Sequence, residues 1–193
     1  ASNNIAIGRN ALLANTTGYD NVAVGRNSLD ANIGGHSNTA LGESSLTSNT
    51  EGDRNVAVGQ NALAINSTGG QNVAVGRGAL DANTTASNNT AVGDLAATAL
   101  TTGAANVAIG TNALAASTTG ARNTIVGVDS SNQITSGADN TAMGYDSLTR
   151  CTTGGSNVAI GKDAGDNITG GGGNTCVGKD AGTNITQGDN NIC

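Results

Sequence analysis

The chain has 193 residues and a net charge of -6, and its composition includes 30 Gly, two Tyr and neither Phe nor Trp. So few large side chains exclude an ordinary globular core, and the acidic balance excludes the basic surface that nucleic acids and anionic membranes require. No apolar run approaches the roughly 18 residues of a membrane-spanning helix. We therefore expect neither nucleic-acid binding nor membrane insertion in this segment.

A 17-residue repeat runs through the whole sequence without insertion or deletion. Glycine occupies every seventeenth position from Gly8 to Gly178, and asparagine stands four residues before each of these repeat glycines, with Asn191 beginning a further unit. About eleven coils therefore form a single repeat domain over residues 1–193. Because the chain starts without Met and stops part-way through a repeat, we expect it to be a fragment of a longer chain.

Each unit opens with a predicted β-strand that ends at the repeat glycine, as in Asn55 to Gly59. Its apolar residues alternate with period two, so Val56 and Val58 point to one side and Ala57 points to the other. We predict that the valines fill the inside of the coil. The alanine then lies on the outer face.

A second predicted strand carries Ala62 and Leu63 and their equivalents, with the leucine completing the internal stack. Asn-Thr-Thr-Gly stretches such as Asn15 to Gly18 then turn the chain. Gly and Asn tolerate positive φ, so we predict that the repeat asparagines and repeat glycines stand at the corners of the coil. A unit of 17 residues is too short for a helical pair. The predicted fold is all-β, a parallel β-solenoid (β-roll) with 17-residue coils.

The predicted outer face has a central column of small residues, one per coil. Small side chains let another backbone approach closely, so we interpret this face as an oligomer contact, most simply around a threefold axis. The alternative is that the face is exposed or packs on a cap. The alanines are Ala6, Ala23, Ala40, Ala57, Ala74, Ala91, Ala108, Ala142 and Ala159, and Ile125, Cys176 and Cys193 occupy the other places in the column.

The repeated Asn-x-Ala-Val/Ile-Gly, followed by x-x-Ala-Leu, resembles the head repeats of trimeric autotransporter adhesins. The longer form, with Asn-Thr-Thr-Gly before the next Asn-Thr-Ala-Val-Gly, is similar to repeats in phage tail fibres. The resemblance covers the whole chain and implies a left-handed β-roll in a homotrimer. The adhesin-head unit is shorter, so this chain departs from it in the second turn.

The chain offers little for catalysis, because His36 is the only histidine and lies in a turn. We expect no enzymatic activity and no cofactor. Aspartates two places after the repeat glycine form a weak calcium candidate, but solvated turn aspartates, two of them beside Lys162 and Lys179, are the favoured interpretation. These aspartates are Asp129, Asp146, Asp163 and Asp180.

Two of the three cysteines, Cys176 and Cys193, lie one period apart in the alanine column, so their Cα atoms should be about 5 Å apart, within reach of a disulfide. The bridge could join adjacent coils or neighbouring chains, and Cys151 would be left over. The alternative is that all three are small buried thiols.

The leading functional hypothesis is a non-enzymatic segment of a homotrimeric tail fibre or surface adhesin, on a virion surface or outside the cell. It would hold a receptor-binding tip away from a surface, with any receptor or glycan bound through flanking domains. One alternative is an ice-binding solenoid, because Thr recurs eight places after the repeat glycine, from Thr16 to Thr186. Another is a self-assembling extracellular filament built from open solenoid ends.

Overall fold

The computed structural model describes residues 1–193 and contains eleven β-strands and no helix. No element of it is therefore a helix that could cross a membrane. All eleven strands belong to one parallel sheet, in which they follow one another in chain order. The strands are β1 (Ile5–Ile7), β2 (Val22–Val24), β3 (Thr39–Leu41), β4 (Val56–Val58), β5 (Val73–Val75), β6 (Thr90–Val92), β7 (Val107–Ile109), β8 (Thr124–Val126), β9 (Thr141–Met143), β10 (Val158–Ile160) and β11 (Thr175–Val177).

Consecutive strands pair with a constant offset of one repeat, so that Ile5 lies opposite Val22 and Ala6 lies opposite Ala23. The chain makes one full coil between each strand and the next, and the coils stack on one another. The predicted all-β parallel solenoid is confirmed. At the strand spacing of about 4.8 Å, eleven coils extend over about 50 Å.

Each coil contains one strand, and the prediction of a second strand at Ala62 and Leu63 is wrong. Both residues lie in a turn, and Leu63 has a left-handed φ of 53°. A left-handed residue changes the direction of the chain, so the extended conformation cannot continue through it. The coils are still joined on this side, because the Leu63 N–H donates to Ala79 O in the next coil at 3.0 Å.

The strands account for a minority of the hydrogen bonds that join the coils. Of 126 backbone hydrogen bonds, 20 lie within the strands, and the others include long series from one turn to the equivalent turn of the next coil. Thr50 N–H, for example, donates to Ser67 O at 2.9 Å. The solenoid is therefore hydrogen-bonded from coil to coil around its circumference.

The orientation predicted for the strands is also wrong, because the alanines point into the coil and the valines point out. Ala57 and its equivalents from Ala23 to Ala159 have no exposed surface, and Val56 and Val58 are half-buried. Only Ala6, in the first coil, is exposed. Side chains without exposed surface cannot touch another chain, so this column is not an oligomer contact: Ala23, Ala40, Ala57, Ala74, Ala91, Ala108, Ala142 and Ala159.

The alanines face inward because the opposite side of the coil already supplies a large side chain. Leu29, Leu46, Leu63, Leu80 and Leu114 are fully buried, as predicted for the leucine column. They belong to one apolar cluster with the inward alanines. A valine in the alanine column would overfill a coil that already holds the leucine, which explains the small residue at the centre of nearly every strand. The larger Ile125 is buried in a coil where Ser131 replaces that leucine.

Asparagine forms a buried ladder along the whole solenoid. In the central coils, Asn55 N–H donates to Asn38 Oδ1 at 2.9 Å, and Asn55 Nδ2 donates to Gly69 O at 2.9 Å. Asn55 Oδ1 then accepts from Asn72 N–H at 3.0 Å. The prediction that these asparagines supply positive φ is wrong, since none of them has one. They satisfy backbone groups inside the coil instead.

The repeat glycines do require their special backbone conformation. Gly59 has a φ of 132°, and a Cβ at this position would collide with the carbonyl of Gly76 in the next coil. The tight stacking of coils at this corner therefore admits only glycine.

Candidate functional site

The outward side chains of the sheet form a continuous flat surface, which we call the aliphatic face. It consists of the first and third residues of every strand, and none of them is charged. The third position is aliphatic or Met in all eleven strands, and the first is Val, Ile or Thr. First positions are Ile5, Val22, Thr39, Val56, Val73, Thr90, Val107, Thr124, Thr141, Val158 and Thr175; third positions are Ile7, Val24, Leu41, Val58, Val75, Val92, Ile109, Val126, Met143, Ile160 and Val177.

Large parts of this face are open to solvent even in the middle of the solenoid. Leu41 is 47% exposed, Met143 is 43% exposed and Ile109 is 39% exposed. The face is about 50 Å long and about 10 Å wide, an area on the order of 500 Å². A patch of this size equals the largest apolar patch of a typical monomeric protein, and such patches are often functional.

Columns that include ion pairs, which we call the charged columns, border the aliphatic face along both edges. On the glycine side, Arg77 pairs with Asp94 at 2.8 Å, and Arg26 pairs with Glu43. On the asparagine side, Arg122 Nε and Asp139 Oδ1 are 2.6 Å apart. An uncharged aliphatic centre between charged borders is the arrangement that protein–protein interfaces show.

The four aspartates predicted as a weak calcium candidate follow one another in successive coils. Burial raises the pKa of Asp146, and the charges of Asp129 and Asp163 raise it further. Asn112 Nδ2 donates to Asp129 Oδ1 at 2.9 Å, so a hydrogen bond from the neighbouring coil partly offsets the repulsion between the carboxylates of the column.

No group of three or more His, Cys, Asp or Glu side chains in the structure is arranged to hold a metal ion. Lys162 Nζ instead lies 2.9 Å from Asp163, and Lys179 Nζ lies 3.4 Å from Asp180. The calcium candidate therefore has no supporting geometry, and the lysines neutralise two of the four carboxylates.

The threonine column that suggested ice binding is a hydrogen-bonded ladder. Thr84 Oγ1 donates to Thr101 O at 3.2 Å, and Thr101 Oγ1 donates to Thr118 O at 2.9 Å. The same contact recurs as far as Thr169, whose Oγ1 donates to Thr186 O at 3.1 Å. These hydroxyl hydrogens bond to the next coil and are not free to donate to a ligand.

His36 lies in a small cluster on the surface. Its ring stacks on Tyr19 with centroids 4.6 Å apart, and its Nε2 lies 3.1 Å from Asp53 Oδ2. These contacts fix the ring between successive coils.

The three cysteines are placed as their columns predict. Cys176 and Cys193 lie next to each other with their sulfur atoms 2.7 Å apart. Cys151 is buried in another column and its thiol donates to Gly154 O at 3.4 Å.

Two features of the site were missed from the sequence, and both had a visible signal. The aliphatic face was placed inside the coil, although an Ala between two large residues in almost every strand is a sign of a crowded interior. The asparagine ladder was taken for a turn, although Asn stands at every equivalent position from Asn4 to Asn191. A turn would have accepted Asp, Ser or Gly in some units.

No family model, no curated protein and no solved structure matches this chain.

Proposed function

We propose that the chain is a structural segment of a homotrimeric fibre, such as a tail fibre or a surface adhesin, and that it spaces a receptor-binding tip from a surface. The observation that carries the proposal is the aliphatic face, which runs the length of the solenoid and has no partner within the single chain. Burial of this face against other copies covers a mainly apolar area on the order of 500 Å² per chain.

Identical chains are the natural partners of this face, because its side chains recur with the period of the solenoid. Copies aligned side by side bring equivalent columns together at every coil, so one favourable contact is repeated eleven times. The charged columns at both edges then lie at the rim, where Arg77 with Asp94 and Arg122 with Asp139 remain in water.

A spacer role suits the way the solenoid is built. Each coil bonds to the coil before it and the coil after it, so length grows in proportion to the number of repeats. Three parallel solenoids joined along their aliphatic faces make a rod that is stiffer than one alone. Receptor or glycan binding would then belong to domains that flank this segment.

The test replaces exposed apolar residues on the aliphatic face and off it. Ile109→Lys with Met143→Lys places two charges on the face, and Ile33→Lys with Ile65→Lys places two charges elsewhere at positions of similar exposure, 44% and 48%. Light scattering after size exclusion should give a trimer for the unmodified chain and the control pair, and a monomer for the face pair. Circular dichroism checks that both pairs remain folded.

Three results would overturn the proposal. A trimer that survives Ile109→Lys with Met143→Lys would place the contact elsewhere. A monomeric unmodified chain that lowers the freezing point without lowering the melting point would favour ice binding. Long unbranched assemblies in electron micrographs would favour a filament formed through the solenoid ends.

A further inference from the structure

Two cysteines face each other at the C-terminal end of the solenoid. Cys176 is the central residue of β11, and its side chain points into the coil, where it is fully buried. Cys193 N–H donates to Thr175 O at 2.9 Å, and Cys193 O accepts from Val177 N–H at 2.8 Å. The two neighbours of Cys176 thus hold Cys193 directly opposite it, and the sulfur atoms are 2.7 Å apart.

The coil also leaves room for both sulfur atoms. Gly182 occupies the position that a buried leucine takes in most other coils, and its φ is 73°. A Cβ at this position would collide with Cys176 Sγ and would come within 3.0 Å of Cys193 Sγ. The two thiols therefore occupy the space that a larger side chain at position 182 would need.

We propose that Cys176 and Cys193 form an intrachain disulfide that joins the last two coils. Adjacent parallel strands lie about 4.8 Å apart, which is within the Cα–Cα range of disulfides. The sulfur atoms need to approach each other by about 0.7 Å to reach the length of an S–S bond. The bridge closes a loop of one repeat and holds the segment around Ile192 and Cys193 against β11.

Glutathione disulfide is an oxidant that can close this bond. The exposed Cys193 attacks it as a thiolate, forming a mixed disulfide and releasing one glutathione thiolate. Cys176 then gives its proton to solvent and attacks Cys193 Sγ, which releases the second glutathione. Two protein thiols are oxidised to one disulfide, and one glutathione disulfide is reduced to two glutathione molecules, so atoms and electrons balance.

The two sites differ in reactivity. Burial, and to a lesser extent the close contact with the Cys193 sulfur, raise the pKa of Cys176 to about 12. The second step should therefore limit the rate and accelerate as the pH rises, because only the thiolate attacks.

Cys151 is not a competing partner. It lies in a different column, it is fully buried, and its sulfur donates to Gly154 O at 3.4 Å. Burial raises the pKa of its thiol to about 11. It should stay reduced under conditions that oxidise the pair.

The test incubates the 193-residue chain with glutathione disulfide at mildly alkaline pH, then unfolds it in denaturant and alkylates the free thiols. Trypsin digestion without reduction and mass spectrometry then identify the peptides. Cleavage after Arg150, Lys162 and Lys179 places each cysteine in its own peptide: 151–162, 163–179 and 180–193. We expect 163–179 joined to 180–193, 151–162 alkylated, and a single-chain band on a non-reducing denaturing gel.

Two variants control for the bond itself. Cys176→Ala restores the residue found in most other coils, and Cys193→Ala changes an exposed position. In the oxidised unmodified chain, amide hydrogen exchange in the last coil should be slower by roughly tenfold than in the reduced chain, and glutathione disulfide should not alter it in either variant. Separate alkylated 163–179 and 180–193, a link to 151–162, or a two-chain band would each overturn the proposal.

Discussion

The two halves of the solenoid have the same backbone but fill their coils differently. In residues 1–86, every coil pairs an inward leucine with an asparagine three residues later, such as Leu80 with Asn83. In residues 87–193, an apolar residue or a small polar one replaces that asparagine, and Ala, Ser or Gly often replaces the leucine. The pairs are Ala97 with Leu100, Leu114 with Ser117, Ser131 with Ile134, Leu148 with Cys151, Gly165 with Ile168 and Gly182 with Ile185.

The difference shows that these two positions together hold one large apolar side chain in each coil, and that it can come from either position. A second polar ladder occupies the remaining space in the first half, where Asn66 Nδ2 donates to Asn49 Oδ1 at 2.8 Å. In the second half a small residue faces a large apolar one, and Ile168 Cδ1 lies 3.2 Å from where a Cβ on Gly165 would be. The ladder ends at Asn83, whose Oδ1 is buried and has no partner because Leu100 follows it.

The largest expected effect comes from the asparagine ladder that both halves share. Asn55→Leu leaves Asn72 N–H and Gly69 O without their partners, so we expect a loss of unfolding free energy of about 4 kcal/mol. Asn140→Leu, in the second half, should cost a similar amount, since Asn140 makes the equivalent bond to Gly154 O at 2.9 Å. Denaturant titrations at a fixed protein concentration measure both changes, and clearly unequal losses would show that the halves differ in this ladder too.

The second prediction concerns two substitutions that give the last coil of the first half the residue pair found in the next coil. Leu80→Ala alone should lose about 3 kcal/mol of unfolding free energy, because it opens a cavity. Asn83→Leu alone should also destabilise the protein, by about 2 kcal/mol, because it overfills the coil. The double substitution reproduces the pair Ala97 with Leu100. Its loss of unfolding free energy should therefore be smaller, by at least about 2 kcal/mol, than the sum of the two single losses.

A double-mutant cycle from denaturation at one protein concentration gives this recovery. Additive losses would contradict a shared interior volume. The matching pair in the second half is Ala97→Leu with Leu100→Asn, which should show coupling of the same sign.

The smallest effect concerns the column of aspartates two places after the repeat glycine, from Asp129 to Asp180. The first half has no aspartate in this column, where Asn10, Asn27, Ser44, Asn61 and Gly78 stand instead. The pKa of Asp146 is raised by burial and by its acidic neighbours, so its ionisation destabilises the fold as the pH rises through the folded-state pKa. Asp146→Asn should therefore raise the melting temperature slightly at pH 7 and leave it unchanged near pH 3.

Asp139 provides the opposite case for the same measurement. Its hydrogen bond with Arg122 lowers its pKa, so its stabilising effect is present at neutral pH and is lost as the pH falls through the folded-state pKa. Asp139→Asn should lower the melting temperature at pH 7. Equal signs for the two substitutions would contradict the assigned environments.

The repeat and the solenoid could be predicted from the sequence because Gly59 and its equivalents recur without exception. The orientation of the strands could not. Alternation shows that Val56 and Val58 share a side, but it does not show which side, and hydrophobicity alone favours the wrong one. The choice depends on the space left by Leu63 across the coil, which is a property of the closed coil.

The pairing of large and small interior residues was visible in the sequence but could not be interpreted without the fold. Leu100 and Ile134 replace asparagine three residues after Ala97 and Ser131, and that change has meaning only when both positions are known to point into one interior. The cysteine pair was the easier case. Cys176 and Cys193 differ by one repeat, and the register of the sheet alone places them together.

The molar mass of the unmodified chain in solution tests most directly whether copies meet through the aliphatic face. Sedimentation equilibrium over a wide concentration range, with reductant present to prevent disulfides between chains, measures that mass. We predict three times the 18.6 kDa of the single chain. A mass of 18.6 kDa at every concentration would contradict the account, because the aliphatic face would then remain in water.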